Sequence, residues 1–232
     1  PKPLLGNCGA TYVIFGRVNN GTNIDLRNFT SNAQTGWKIT GASAGAISGL
    51  SVSAAGDFNG DSYPDILIGA PGFDYNLADN CGAAYIIFGK NGTSRGDIDL
   101  SSLTSIAAFG LRIFGSTSGA SSVTGVGSFE SNAGDFNGDG FEDVVLGAPY
   151  SSLSGRTSNG MVAVVFGRNS NFADVILGAS FVSSATQGFL VYGASANNLL
   201  GTSVSTAGYF DNDAFKDVMV GAAGAGSGAC GP

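Results

Sequence analysis

The chain has 232 residues, with 10 Lys and Arg against 17 Asp and Glu, no His, and a formal charge of -7. Without imidazole there is no Ser-His-Asp triad, no His-ligated zinc and no His acid–base chemistry; ten scattered basic residues make no patch for nucleic acid. With 43% apolar residues, 12% charged and 38 Gly, the composition is neither disordered nor collagen-like and points to a packed, turn-rich protein of many short strands.

In chain order the predicted elements recur. "NCGATYVIFGR" (7–17) returns as "NCGAAYIIFGK" (80–90) and "SNGMVAVVFGR" (158–168). "GWKITGAS" (36–43) returns as "GLRIFGST" (110–117) and "GFLVYGAS" (188–195). "GDFNGDSYPDILIGAP" (56–71) returns as "GDFNGDGFEDVVLGAP" (134–149) and, altered, as "GYFDNDAFKDVMVGAA" (208–223). Three landmarks in fixed order, about 76 residues apart, define a repeat. In the first full unit the short apolar runs 49–55, 65–70, 83–89 and 110–115, bounded by turn residues, predict four strands. No helical period runs over ten or more residues.

Four sequential strands per unit predict an all-β fold of four-stranded antiparallel β-propeller blades. The window is out of phase with them: half a blade at 1–48, blades at 49–118 and 119–196, and half a blade at 197–232. That makes about three blade equivalents, where a propeller takes about four to eight. We therefore expect further blades of a parent protein, or other copies of this chain, as partners. The ends "PKPLLGNCG" and "GACGP" read as a mature or excised piece of something longer. No stretch of 18 or more apolar residues predicts a membrane span.

The acidic loops carry the chemistry. Asp57, Asn59, Asp61 and Asp65 take places 1, 3, 5 and 9, as do Asp135, Asn137, Asp139 and Asp143; the carbonyls of Tyr63 and Phe141 stand at place 7. Alternate spacing in a tight turn aims hard oxygens at one centre, which suits Ca²⁺ better than Mg²⁺. An EF-hand needs a Glu at place 12; Ile68 and Leu146 stand there. A plain Asn-Gly turn is the alternative. But the three nine-residue windows hold 10 of the 17 acids, and clustered carboxylates repel unless a cation or protons intervene. The third loop keeps Asp211, Asp213 and Asp217 but has Tyr209 at place 1, so we expect two calcium sites and a weakened third.

These residues resemble the FG-GAP repeat of integrin α-subunit propellers and of long-repeat microbial or algal surface proteins. The name is seen in Phe88-Gly89, Gly69-Ala70-Pro71 and Gly147-Ala148-Pro149, and the longer type is suggested by Ile24-Asp25-Leu26 and Ile98-Asp99-Leu100. The resemblance implies a propeller, calcium in the hairpin loops and an extracellular or cell-surface place.

Asn20, Asn28 and Asn91 head Asn-x-Thr sequons, candidates for glycosylation. Cys8, Cys81 and Cys230 are not in CxxC pairs; they read as disulfide candidates, with one left over, or as three thiols. The expected function is an extracellular calcium-binding structural or adhesive protein, a repeat subunit of a surface filament. The alternative is an integrin-like or lectin-like module that binds an extracellular protein or glycan. FG-GAP propellers accompany a phospholipase that cleaves glycolipid anchors, but no residues here carry that chemistry, so we expect no enzyme. Trp37 reads as core.

Overall fold

The computed structural model describes residues 6–16, 23–32, 34–76, 78–92, 96–103, 109–115, 125–170, 172–178 and 181–226. Asn20 and Cys230 lie outside them. The strands are β1 (Ala10–Ile14), β2 (Gly36–Thr40), β3 (Val52–Gly56), β4 (Asp65–Ala70), β5 (Ala83–Ile87), β6 (Ile98–Asp99), β7 (Gly110–Gly115), β8 (Phe129–Gly134), β9 (Asp143–Ala148), β10 (Met161–Val165), β11 (Val175–Leu177), β12 (Gly188–Tyr192), β13 (Leu200–Gly208) and β14 (Asp217–Ala222). The predicted runs 49–55 and 83–89 shorten to β3 and β5 because Gly49 and Gly89 sit at crossings between segments rather than in a ladder.

Strands β3, β4, β5 and β7 form one antiparallel blade in that order, and β8, β9, β10 and β12 form the next. β1 and β2 supply the outer half of a preceding blade, and β13 and β14 the inner half of a following one. Each β3–β4-type hairpin enters its acidic loop through a bulge at a Gly with φ near +70° (Gly56, Gly134, Gly208), a conformation that favours Gly.

The four-stranded expectation needs one correction. β11 adds to β7 as a fifth, parallel strand, and β6 adds to β2 in the same way. Both come from the connection between the third and fourth strands of the following unit, which reaches back across the blade boundary. The Ile98-Asp99-Leu100 segment is thus an inter-blade staple. Asp99 then caps a short 3-10 turn (Leu100–Ser102) by accepting the Ser101 amide at 3.0 Å, as Asp25 does for Arg27. The staples are held by acids at matching places. Asp174 makes a two-pronged pair with Arg112 of β7, at 3.0 and 2.6 Å. Asp97 accepts the Lys38 amide of β2 at 3.1 Å and the Ser31 hydroxyl.

The core lies between blades. Alternate residues of a strand face opposite sides, so Leu67, Ile86 and Leu111 meet Val144, Leu146 and Val165 on one side of the complete blade. Ile68, Tyr85 and Ile87 meet Ile39 and Ala46 on the other. Val145, Val162 and Val164 pack toward Val204 and Val218. This two-sided burial explains the near-continuous apolar runs. The close approach of inner strands excludes side chains: a Cβ on Gly69 would lie 2.0 Å from the Gly127 carbonyl, and one on Gly147 2.2 Å from that of Gly201. The described residues form successive antiparallel sheets of an essentially all-β fold. No described helix is long and apolar enough to cross a membrane.

Candidate metal-binding loops

Each acidic loop folds around its own backbone amides. In the first, the Asp61 amide is shared between Asp57 Oδ1 at 2.9 Å and Asn59 Oδ1 at 3.1 Å, so the oxygens of places 1 and 3 converge on one point. Ser62 donates to Asp57 Oδ2, and Tyr63 donates to Asp61 Oδ1, each at 2.9 Å. The Asn59 amide nitrogen holds Asp61 Oδ2 at 2.9 Å. The second loop repeats this, with the Asp139 amide shared between Asp135 Oδ1 and Asn137 Oδ1, both at 3.0 Å. The third keeps the bonds of places 3 and 5 (Asp213 amide to Asp211, Phe215 amide to Asp213). At its place 1, the Tyr209 ring lies 4.0 Å from Lys216 Nζ and supplies no carboxylate.

Place 9 differs from the sequence expectation in what surrounds it. Asp65 and Asp143 are buried, at 1% and 0% exposure. Asp65 accepts the Phe58 amide at 2.9 Å and, from the end of the third strand, the Gly89 amide at 2.6 Å. Asp143 accepts Phe136 and Gly167, both at 2.8 Å. Burial pushes the Asp65 carboxyl up to about 6 and Asp143 up to about 7, against the pull of those amides. Asp217 has its loop amide, Phe210, at 2.6 Å.

Among the described residues no three acids stand grouped as a ready metal cluster. The donor chemistry still fits calcium: the side-chain oxygens of places 1 and 3 share one amide, and places 5 and 9 add further carboxylates. Asp57, Asn59, Asp61, Asp65 and their second-loop counterparts would hold the ion, which would neutralise the loop.

The loops also touch across blade boundaries. Glu142 donates its amide to the Asp57 carbonyl at 3.3 Å, Arg168 to the Phe58 carbonyl at 2.9 Å, and Lys216 to the Asp135 carbonyl at 3.4 Å. A Cβ on Gly60 would lie 2.4 Å from the Phe141 ring, and one on Gly138 2.7 Å from the Phe215 ring. Gly at place 4 therefore receives the aromatic of place 7 from the next loop. In the sequence these Gly figure only in the Asn-Gly turn weighed against a metal loop. The co-occurrence of Gly and an aromatic three places apart was the available signal.

Asn28 and Asn91 are exposed. Cys8 and Cys81 occupy equivalent places in successive units and are free thiols, so the expected bridge does not join them. Their Sγ atoms donate instead to the carbonyls of Gly9 and Phe73 at 3.5 Å. Trp37 is only part-buried and meets Phe15 edge to face, with centroids 5.2 Å apart.

Blades of this order with such loops define a class of all-β repeat protein, and the comparisons give that class a name. Residues 48–87 and 130–165 match the FG-GAP repeat family, so an FG-GAP repeat region is present. The chain is similar to a phosphatidylinositol-glycan-specific phospholipase D of Rattus norvegicus, 31% identical over 148 residues, 60% of this chain and 16% of that protein. It is similar to integrin alpha-3 of Cricetulus griseus, 32% identical over 117 residues, 50% of this chain and 9% of that one. Integrin alpha-IIb of Mus musculus aligns over 195 residues at 27% identity, 81% of this chain and 16% of that one. The chain spans less than a fifth of the length of these relatives.

Proposed function

We propose that the protein is an extracellular structural or adhesive repeat protein whose first two acidic loops bind Ca²⁺, and that its copies join end to end in a surface assembly. The observation that carries the calcium reading is the repeated convergence of place 1 and place 3 oxygens on a single amide, at Asp61 and at Asp139. The likeness to integrin alpha chains supports an extracellular adhesive role. Calcium here is architectural. Each loop leans on the next, so an ion that fixes one hairpin also fixes the blade boundary. Exposed Asn28 and Asn91 are acceptors for glycans, and the protein acts by binding and assembly, not by catalysis.

Calorimetric titration of CaCl₂ into chelator-stripped protein tests the metal reading. The expected result is two sites in the wild type and one in each of Asp57→Ala and Asp135→Ala. Absence of any binding heat, together with an unchanged melting temperature at about 5 mM Ca²⁺, above the roughly 0.1–1 mM Kd range of extracellular modules, overturns it.

A further inference from the structure

Arg168 is a part-buried cation without a counter-charge. It follows β10, and its guanidinium makes a single hydrogen bond, from Nη1 to the Phe166 carbonyl at 3.2 Å. Among the described residues no carboxylate pairs with it, and all 17 acids of the chain are among them. Burial alone pulls the guanidinium below its ordinary value, with no neighbouring charge to offset it. A guanidinium stays ionised in a protein regardless. Arginine is seldom taken out of water unless it is paired, so the fold leaves here a positive charge unanswered.

Arg168 stands where two cavities meet. One, of about 330 Å³, reaches Phe141, Asn169, Ser170 and Thr186; the other, of about 280 Å³, reaches Val175 and Phe181; Arg168 and Gln187 line both. Asn169, Ser170, Thr186 and Gln187 are exposed. Gln187 serves the fold through its backbone: its carbonyl accepts the Phe166 amide at 3.1 Å, and its amide donates to Ser184 Oγ at 3.1 Å. Its side chain is left to the cavities. The acids at their edges are committed elsewhere. Asp139 accepts the Phe141 amide at 3.0 Å and Asn137 Nδ2 at 2.8 Å, and Asp174 holds Arg112.

We propose that these joined cavities bind an acidic saccharide, with Arg168 on its carboxylate or sulfate and Gln187, Asn169, Ser170 and Thr186 on its hydroxyls. The planar fork of arginine suits a two-oxygen anion. A carboxylate from a protein side chain would use Arg168 alone. Neutral amides and hydroxyls gathered beside the cation call for a ligand that carries hydroxyls around its anion. Phe141 and Phe181 supply apolar walls, one to each cavity, as small-molecule sites require.

The site needs neither end of the chain and no second copy. Both blades that frame it are complete. The Arg168 amide donates to the Phe58 carbonyl of the preceding blade at 2.9 Å, and Val175 and Phe181 belong to the core shared with that blade. A following blade covers the opposite side, where Phe166 and Phe189 lie. The internal junction shows where a following unit's connection lands: Phe172 meets Phe88, and Asp174 meets Arg112. The counterparts of Phe88 and Arg112 are Phe166 and Leu190, and neither lines the cavities.

The test is a ligand-observed NMR titration of the 232-residue chain in calcium-containing buffer. Four probes are used: an oligosaccharide of glucuronate and N-acetylglucosamine, the same oligosaccharide with its carboxylates reduced to alcohols, a sulfated galactose disaccharide, and a hexaglutamate peptide. The expected result is binding of the uronate or the sulfated sugar, the stronger of the two identifying the anion, with none for the reduced sugar. Arg168→Gln is expected to weaken that binding about tenfold or more. Should Arg168→Gln melt below the wild type, Gln187→Ala decides, since only its exposed side chain changes: weakened binding at a wild-type melting temperature supports the site, and wild-type affinity overturns it. Equal binding of the reduced sugar, unchanged affinity in a well-folded Arg168→Gln, or no binding to any probe overturns it as well. Binding of hexaglutamate alone overturns the saccharide and leaves a protein acid as the ligand.

Discussion

The Asp65 carboxylate accepts the Gly89 amide at 2.6 Å across 24 residues of chain, and Asp143 repeats this with Gly167 at 2.8 Å. The acid that ends the loop is thereby tied to a Gly two residues beyond the third strand. A Cβ on Gly89 would lie 2.4 Å from the Pro64 carbonyl and 2.8 Å from Tyr63 Cβ. Gly89→Ala is expected to cost about 1–3 kcal/mol, the usual penalty of overpacking, read by urea denaturation. Gly16→Ala, with open space around it, is expected to change the stability of the single chain by less than about 0.5 kcal/mol.

Calcium is expected to raise stability by mass action. At a free concentration one hundred times Kd, each site adds about 2.7 kcal/mol. Thermal melts in Ca²⁺ against chelator should show the gain, and Asp57→Ala or Asp135→Ala should each remove about half of it. A Tyr209→Asp variant is expected to add a third increment, because it restores the place 1 carboxylate to a loop that keeps the other two turns.

The buried acids fix the sign of the pH dependence in calcium-free protein. Glu130 on β8 is 8% exposed, and neither carboxyl oxygen has a hydrogen-bond partner. The nearby Gly69 amide is already given to the Ser51 carbonyl at 3.0 Å and relieves it little. Burial holds Glu130 well above its ordinary value, as it does Asp65 at about 6 and Asp143 at about 7. The folded protein therefore keeps protons that the unfolded chain releases, and stability falls as pH rises from about 4 to 7. Glu130→Gln is expected to raise the melting temperature at pH 8 and to leave it unchanged at pH 4. An equal gain at both pH values would show that ionisation is not the cause.

The back-reaching staple is expected to couple blades. Arg112 and Asp174 are each about a quarter exposed and share two short bonds. A double-mutant cycle of Arg112→Ala and Asp174→Ala should give a coupling of about 1–2 kcal/mol, persisting at 0.5 M NaCl because the pair is part-buried.

Local chemistry was legible in the sequence. Apolar runs between turn residues marked β4, β5, β7, β9 and β10, because short runs of branched and aromatic residues pack only as strands between neighbours. The spacing of Asp57, Asn59 and Asp61 marked the loop, because side chains two apart in a tight turn share a side. What crosses a blade boundary was decided by tertiary structure alone. The parallel staples β6 and β11 and the place of Gly60 under Phe141 cross such a boundary, and the burial of Asp65 against Gly89 spans a single blade; all join residues from distant points in the chain. No local period encodes such contacts: they arise when successive blades stack and each polar group that stacking buries must find a partner from the neighbouring strand or blade.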